Sequence, residues 1–285
     1  GSATSATTYL AGATSPDAYT AVVGQDGPAT YWPLNETSGT SALDYSGFSH
    51  DATINNAVTL GAAGPVPPTF PGFAAGKTAY QFDGASSYLT PGTTASLSGT
   101  NDFTIEAWVK TSSATGQAIV HQRSTGGFTG AYRVSINADG TVYFALYGSG
   151  GFQFNFSSTT KVADGQWHHI AAVRSGTSGL IYIDGALAAS ASGTVQALDA
   201  SLPVYVGYNQ RDNSEYFNGT LANVAIYGKA LTAARVISHY VTGTGMPFQL
   251  TLSQGGLIED SKPSGALHHG MNNGTTWHAS STDTG

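Results

Sequence analysis

Phe103-Thr104-Ile105-Glu106-Ala107-Trp108-Val109-Lys110 alternates Phe, Ile, Ala and Val with Thr, Glu, Trp and Lys. Period-two alternation over such a stretch is the signature of a β-strand with one face in a core. Similar runs lie downstream. Residues 132–136 and 141–146 flank Asp139-Gly140, which reads as a tight hairpin turn. Residues 167–174 and 180–184 flank 175–179, a second hairpin. Runs at 202–207 and 220–227 complete the set. Many short strands joined by Gly, Asn, Asp and Ser turns, with few helices, predict an all-β sandwich or barrel.

Two helices interrupt the pattern. Ser15-Pro16-Asp17 offers a hydroxyl N-cap, a proline for the first helical position and an acid near the positive dipole end. The helix it starts is expected to reach about residue 23, stop at Gly24 and pack on the sandwich as a lid. Thr232 is the expected N-cap of a second helix over 233–241, with Gly243 beyond its end. Residues 61–72, rich in Gly and Pro, read as a loop.

Composition narrows the function. The hydrophobic share of 40% supports a sizeable core, while charged residues make up only 9%. Thr, Ser, Gly, Ala and Asn furnish the surface instead, as suits an extracellular protein that hydrogen-bonds through hydroxyls and amides. The net charge is -7 with ten Lys and Arg, so no basic patch is present for nucleic acid. The same balance argues against anionic membranes. No apolar run is long enough to span a bilayer. The absence of cysteine excludes thiolate metal sites, a catalytic thiol and disulfides. Gly1-Ser2 reads as an added remnant, and no signal peptide is visible.

Several motifs, in one order, resemble the laminin G-like, concanavalin A-like jelly rolls. Tyr31-Trp32-Pro33-Leu34-Asn35-Glu36 and Asp44-Tyr45-Ser46-Gly47 resemble the opening of that family, and Phe82-Asp83-Gly84 its next strand. Residues 103–110 resemble its Phe-Thr-Ile-x-Ala-Trp-Val-Lys strand. Asp164-Gly165-Gln166-Trp167-His168-His169-Ile170-Ala171 and Ile181-Tyr182-Ile183-Asp184-Gly185 are the most specific pieces. Phe217-Asn218-Gly219, Ile226-Tyr227 and Lys229-Ala230-Leu231-Thr232 resemble the closing strand and helix. The resemblance spans about residues 28–242. It departs where the family often carries Asp-Glu and this chain has Ala222-Asn223.

The expected organisation is a flexible tail over 1–14, a short helix and linker over 15–27, and a jelly-roll sandwich over 28–245. Residues 246–285 are expected to begin a truncated second repeat. Asp44, Ser46-Gly47-x-x-His50 and Asn55-Asn56 are echoed by Asp260, Ser264-Gly265-x-x-His268 and Asn272-Asn273. The competing explanation is coincidence in a chain rich in Ser, Asn and Gly.

Glycanases and lyases share the fold that the resemblance implies, and retaining glycoside hydrolysis needs two carboxylates about 5 Å apart. The glutamates are Glu36, Glu106, Glu215 and Glu259, and only Glu106 sits within a strand, between Thr104 and Trp108 on its face. It reads as structural or ligand-facing. His168 and His169 point to opposite faces of a strand, so they cannot chelate one metal side by side. No His-Glu-x-x-His motif, phosphate loop or nucleophile elbow occurs. The chain is therefore expected not to be an enzyme.

A structural calcium ion is the cofactor the resemblance implies. Hard cations take oxygen ligands, and Asn35, Glu36, Asp44 and Asp83, with Asp51, are the oxygen-rich candidates. They read equally as turn residues forming Asx-turns. For a glycan, aromatic plates and planar polar groups are the expected binding chemistry. Residues 208–216 gather Tyr208, Asn209, Arg211, Asp212 and Tyr216 in one loop, and Arg123 and Tyr147 lie in other turn-rich stretches. The alternative for that loop is a polar hairpin closed by Arg211 with Asp212 or Glu215. Trp32, Trp108 and Trp167, and the alternating Phe152, Phe154 and Phe156, read as core. The expected function is a lectin-like module for a glycan or cell-surface ligand, within a larger secreted or surface protein. The competitors are a structural spacer or protein-interaction module of an adhesin or phage tail protein and, third, a glycan hydrolase or lyase.

Overall fold

The computed structural model describes residues 17–92, 94–124 and 127–246. The expected tail and all but the first residue of the expected second repeat lie outside them. In chain order the elements are α1 (Ala18–Gln25), β1 (Thr30–Trp32), β2 (Ser41–Ala42), β3 (Ala52–Asn55), β4 (Thr59–Ala63), β5 (Thr78–Asp83), β6 (Tyr88–Gly92), β7 (Phe103–Lys110) and β8 (Gln117–Ser124). There follow β9 (Gly127–Ile136), β10 (Thr141–Gly148), β11 (Gly151–Lys161), β12 (Trp167–Ser175), β13 (Ser178–Ile183), β14 (Ala186–Ser192), β15 (Val204–Val206), β16 (Asn218–Tyr227) and α2 (Ala233–Thr244).

Two antiparallel sheets form the sandwich. One runs β14-β13-β12-β7-β16-β5-β4, with β1 also paired to β16; the other runs β11-β10-β9-β8-β15-β6-β3-β2. Their facing residues make the main core, from Trp32 and Phe82 through Ile105, Val109 and Val134 to Phe144 and Ile226. The Asp139-Gly140 turn joins β9 to β10 as expected, and the β12–β13 hairpin also forms.

The β7 strand departs from the one-sided reading. Every residue from Phe103 to Val109 is buried, and only Lys110 is exposed. Its second face lies under α1, α2 and the segment before β5. Trp108 meets Phe70 and Phe73 edge-on, each at 5.3 Å between centroids, and shares a second core with Tyr19, Val23, Tyr227 and Val236. Thr, Glu and Trp look like an outward face in sequence, but here the helices take the place of solvent.

Glu106, 1% exposed, is what the helices close over. Its Oε1 accepts from Tyr19 Oη at 2.6 Å, His169 Nε2 at 2.7 Å and His239 Nδ1 at 3.0 Å, and its Oε2 accepts from Tyr227 Oη at 3.0 Å. Burial alone would raise the Glu106 pKa, but His239 and His169 hold it well below the usual carboxylate range. His239 Nε2 donates to Asp26 at 2.9 Å, and Arg235 Nε donates to the same oxygen at 2.8 Å. Both ring nitrogens of His239 thus face carboxylates, which requires the imidazolium. Burial opposes that charge, yet Glu106 and Asp26 push the His239 pKa up to about 9. His169 is buried, while His168 turns the other way, between Asp184 and Asp164.

The helix ends differ from expectation. The N-cap of α1 is Asp17, whose carboxylate accepts from Thr20 N–H at 2.7 Å, so helix begins two residues after Pro16. It continues past Gly24 to Gln25. Thr232 caps α2 as expected, but the helix runs through Gly243 and ends at a left-handed Gly245. Gly243 serves close packing: a Cβ there would lie 2.7 Å from Trp108 Cζ2. In the stretch expected as loop, Gly61 belongs to β4, where φ of +72° and a register shift between Thr59 and Ala62 let glycine stay in the ladder.

Two outcomes follow. Gly243→Val forces overpacking against buried rings and lowers stability by about 1–3 kcal/mol in denaturant titration. An ordinary histidine loses its charge near 6.5, so the charged state of His239 stabilises the fold fully below that pH and stops doing so as pH rises through about 9. The thermal midpoint therefore falls across this window, and His239→Gln removes most of that slope.

Candidate functional site

The outer face of the second sheet is where side chains converge. Cross-strand register lines up Asn55 with Tyr88, Tyr205 with His121, His121 with Arg133, and Ala145 with both Arg133 and Asn155. The Tyr88 and Tyr205 rings close the row at 6.2 Å. Seven strands contribute, so at the usual inter-strand spacing the row runs about 29 Å.

The loop between β15 and β16 folds onto this row. Asn209 and Ser214 exchange backbone hydrogen bonds, which closes a tight turn over 210–213. Asn213 and Glu215 adopt left-handed φ of 48° and 53°. Non-glycine residues hold that conformation only when their surroundings fix it. Here Ala118 N–H donates to the Glu215 carbonyl at 2.8 Å, and Arg133 Nη2 donates to Glu215 Oε1 at 2.7 Å. His121, the register neighbour of Arg133, is fully buried and donates or accepts at Nε2 with Ser135 at 2.7 Å. Burial, then Arg133 and Arg123, push the His121 pKa well below its ordinary value.

The seven residues expected from sequence to bind ligand meet here, but Arg123, Asn209, Tyr147 and Tyr208 are buried, and only Arg211, Asp212 and Tyr216 of them reach the surface. Tyr208 stacks between Tyr88 and Tyr216, each at 4.7 Å, and the Tyr208 and Tyr216 hydroxyls donate to Asn213 Oδ1 at 2.8 and 3.0 Å. Arg123 Nη1 reaches Asn209 Oδ1 at 3.4 Å and lies over the Tyr147 ring at 5.8 Å. Arg211 pairs with Asp212 at 3.0 Å; Glu215, the other partner considered, pairs with Arg133 instead. Tyr147 also packs 4.2 Å from the half-exposed Phe152, beside a pocket of about 170 Å³. Phe154 and Phe156 belong to the core side, as expected. Phe128 falls in β9.

Sequence reasoning missed Tyr88, Tyr205 and Arg133. The available signal was period two: Tyr205 separates the inward Val204 and Val206, and Tyr88 precedes the inward Leu89. It also missed a pair of acids. Asn209 Nδ2 donates to Asp212 Oδ2 at 2.9 Å and to Glu215 Oε2 at 3.0 Å, so these oxygens lie within about 6 Å of each other. That is near the spacing of a retaining glycosidase. Both acids are ion-paired to arginines, an arrangement that anchors the loop.

The calcium candidates do not assemble a cage. Glu36 accepts from Leu43 N–H and Tyr80 Oη, at 2.9 and 2.7 Å. Asp44 accepts from the N–H groups of Tyr31, Ser46 and His50 and from Ser46 Oγ. Asp51 accepts from Asp44 N–H. Asp83 serves its own turn, taking the N–H groups of Ala85, Ser86 and Ser87. Slight burial opposes it, but those bonds hold the Asp83 pKa well below the usual carboxylate range. The Asn35 carbonyl accepts from Thr78 Oγ1. These lone pairs point at N–H and O–H groups and not at a common centre. Among the described residues no three His, Asp or Glu are placed to hold a metal. At the departure from the family pattern, Asn223 is buried in a bulge and accepts from Tyr31 Oη at 2.7 Å.

Replacing Arg133 with Gln leaves Glu215 without its charged donor and lowers stability by about 1–3 kcal/mol. Hydrogen exchange at the Asn209 and Ser214 amides then accelerates while exchange in β7 stays unchanged, as read by NMR.

No described helix is long and apolar enough to cross a membrane. No curated protein sequence matches the chain. Among solved structures, the binding domain of Paraclostridial Mosquitocidal Protein 1 aligns with a TM-score of 0.60 and 15% identity, covering 76% of this chain and 52% of that one. The botulinum neurotoxin serotype D binding domain aligns at 0.54 and 13%, covering 76% and 51%. A structure titled for the dependence of botulinum neurotoxin type C cell entry on two ganglioside molecules aligns at 0.55 and 16%, covering 77% and 52%. The chain spans about half the length of each, and at these identities the likeness shows the fold alone. The laminin G model of the concanavalin A-like lectin/glucanases superfamily matches residues 83–237, more than half of the chain, and to that family the chain belongs.

Proposed function

We propose that this domain is a non-catalytic, lectin-like binding module of a larger extracellular or surface protein, and that it takes glycans on the outer face of the second sheet. The observation that carries the reading is the tyrosine stack. Tyr88, Tyr208 and Tyr216 lie ring on ring, with Tyr205 edge-on to Tyr208 at 5.6 Å and the Asn213 amide fixed beside them. Sugars present C–H faces to such rings and hydroxyls to such amides. The backbone of the loop is pinned at both ends, so little ordering is needed on binding. The likeness in fold to toxin binding domains, one structure of which is titled for ganglioside interaction, supports the same reading.

The proposed binding does not need calcium, since the carboxylates first considered are each engaged by internal donors. A glycan array should therefore give the same selective signals with calcium and with a chelator. Tyr216→Ala and Tyr88→Ala should each weaken the best-bound glycan about five- to tenfold, the scale of one lost aromatic contact. An array without selective signals in either condition, from a folded sample, would favour the spacer reading. Release of reducing sugar, abolished by Glu215→Gln, would make the acid pair catalytic and overturn the proposal.

A further inference from the structure

A second polar cleft lies on the other sheet, where the helices stop covering it. Register aligns Thr59, Gln81, Thr220, Lys110 and Trp167 across β4, β5, β16, β7 and β12. Together with Ser112 and Asn218, the middle three of these line a cleft of about 510 Å³, within the range of small-molecule sites. Its floor is rigid. Thr111 Oγ1 donates to the Asn218 carbonyl at 2.6 Å, and Asn218 N–H donates to Gln117 Oε1 at 2.8 Å. Gly219 is required there, since a Cβ would lie 2.3 Å from the Lys110 carbonyl.

The side chains above that floor are unengaged. Among the described residues, Lys110 has no ion pair, and the side chains of Gln81, Ser112, Asn218 and Thr220 have no internal hydrogen-bond partner. This contrasts with the loop over 208–216, where the charges are matched within the protein. The acids of the adjoining turns are turned away: Asp83 binds the amides of its own turn, and Asp164 accepts from Gln166 N–H and His168 Nε2. Trp167, half-buried against the second core, is the register neighbour of Lys110 on β12.

We infer that this cleft is a second binding site, for a sugar unit bearing a carboxylate. Lys110 supplies the charge-assisted contact, Gln81 and Asn218 supply amides that both donate and accept, and Ser112 and Thr220 reach ring hydroxyls. The occupant is a sugar and not a bare anion, because a single lysine is surrounded by neutral groups that would otherwise have nothing to read. The site is independent of the tyrosine stack, which lies on the other sheet.

The test is a titration of isotopically labelled protein with methyl β-D-glucuronide, methyl β-D-glucoside and inorganic sulfate, followed through the amides of Gly165, Gly219 and Thr220. The glucuronide should shift these amides saturably and bind about tenfold more tightly than the glucoside or sulfate. Lys110→Gln should reduce glucuronide affinity by about the same factor, and the folded spectrum should persist because Lys110 is exposed. Tyr88→Ala with Tyr216→Ala should leave the titration unchanged. Equal affinity for glucuronide and glucoside, equal affinity for sulfate, shifts confined to the tyrosine face, no saturable shift, or no effect of Lys110→Gln would each overturn the inference. The tyrosine variants, which weaken the array signal of the other site and leave this titration unchanged, let the two readings fail separately.

Discussion

A carboxylate buried in the middle of a strand dictates how this sandwich is closed. Glu106 lies almost wholly out of water, and an unpaired charge there would cost far more than a domain can tolerate. Its oxygens are filled by Tyr19 of α1, His169 of β12, Tyr227 of β16 and His239 of α2. Two of those donors come from helices, so both helices must dock for the strand to be stable. Docking His239 then creates a second requirement, because its other nitrogen also carries a proton. Asp26, at the end of α1, meets it and is itself steadied by Arg235. The first and last helices are thus joined through one shared imidazolium.

That closure decides which surfaces remain. The helices and the segment around Phe73 cover Trp108, Ala222 and Ala225, and leave open the end of the same sheet where Lys110, Thr220 and Gln81 stand. On the other sheet no described helix docks. Its outer face is shaped by the 208–216 loop, whose Tyr208 and Tyr216 stack with Tyr88. Each surface with binding chemistry lies where the Glu106 clasp does not reach.

Much of this was legible beforehand, for definable reasons. Hairpins over Asp139-Gly140 and residues 175–179 are local, and period two reports strands directly. The seven residues gathered in advance do meet in space, because five share one loop and β8 and β10 bring Arg123 and Tyr147 to it. The burial of the second face of β7 was not legible. Its partners Tyr19 and His239 lie 87 and 133 residues away in sequence, and Thr-Glu-Trp alternating with apolar residues looks like any half-exposed strand. Tyr88 and Tyr205 escaped notice because a strand tyrosine is compatible with either face. Arg133 was missed because its partner Glu215 is 82 residues on.

The acid pair shows how geometry and chemistry must be weighed together. A search restricted to neighbours on one strand finds no partner for Glu106 in a groove, and indeed Glu106 serves the clasp. Asp212 and Glu215 instead come together in a loop, through Asn209, at a separation that could serve glycoside cleavage. Separation alone does not make a catalyst. Retaining chemistry needs one acid holding a proton and one free to attack, set apart by contrasting environments. These two have similar environments, each beside an arginine and both sharing one amide donor. These pairings fix the loop's shape, including the left-handed turn at Glu215. A rigid loop beside stacked rings lowers the ordering needed to hold a sugar, which is the requirement of a binding surface.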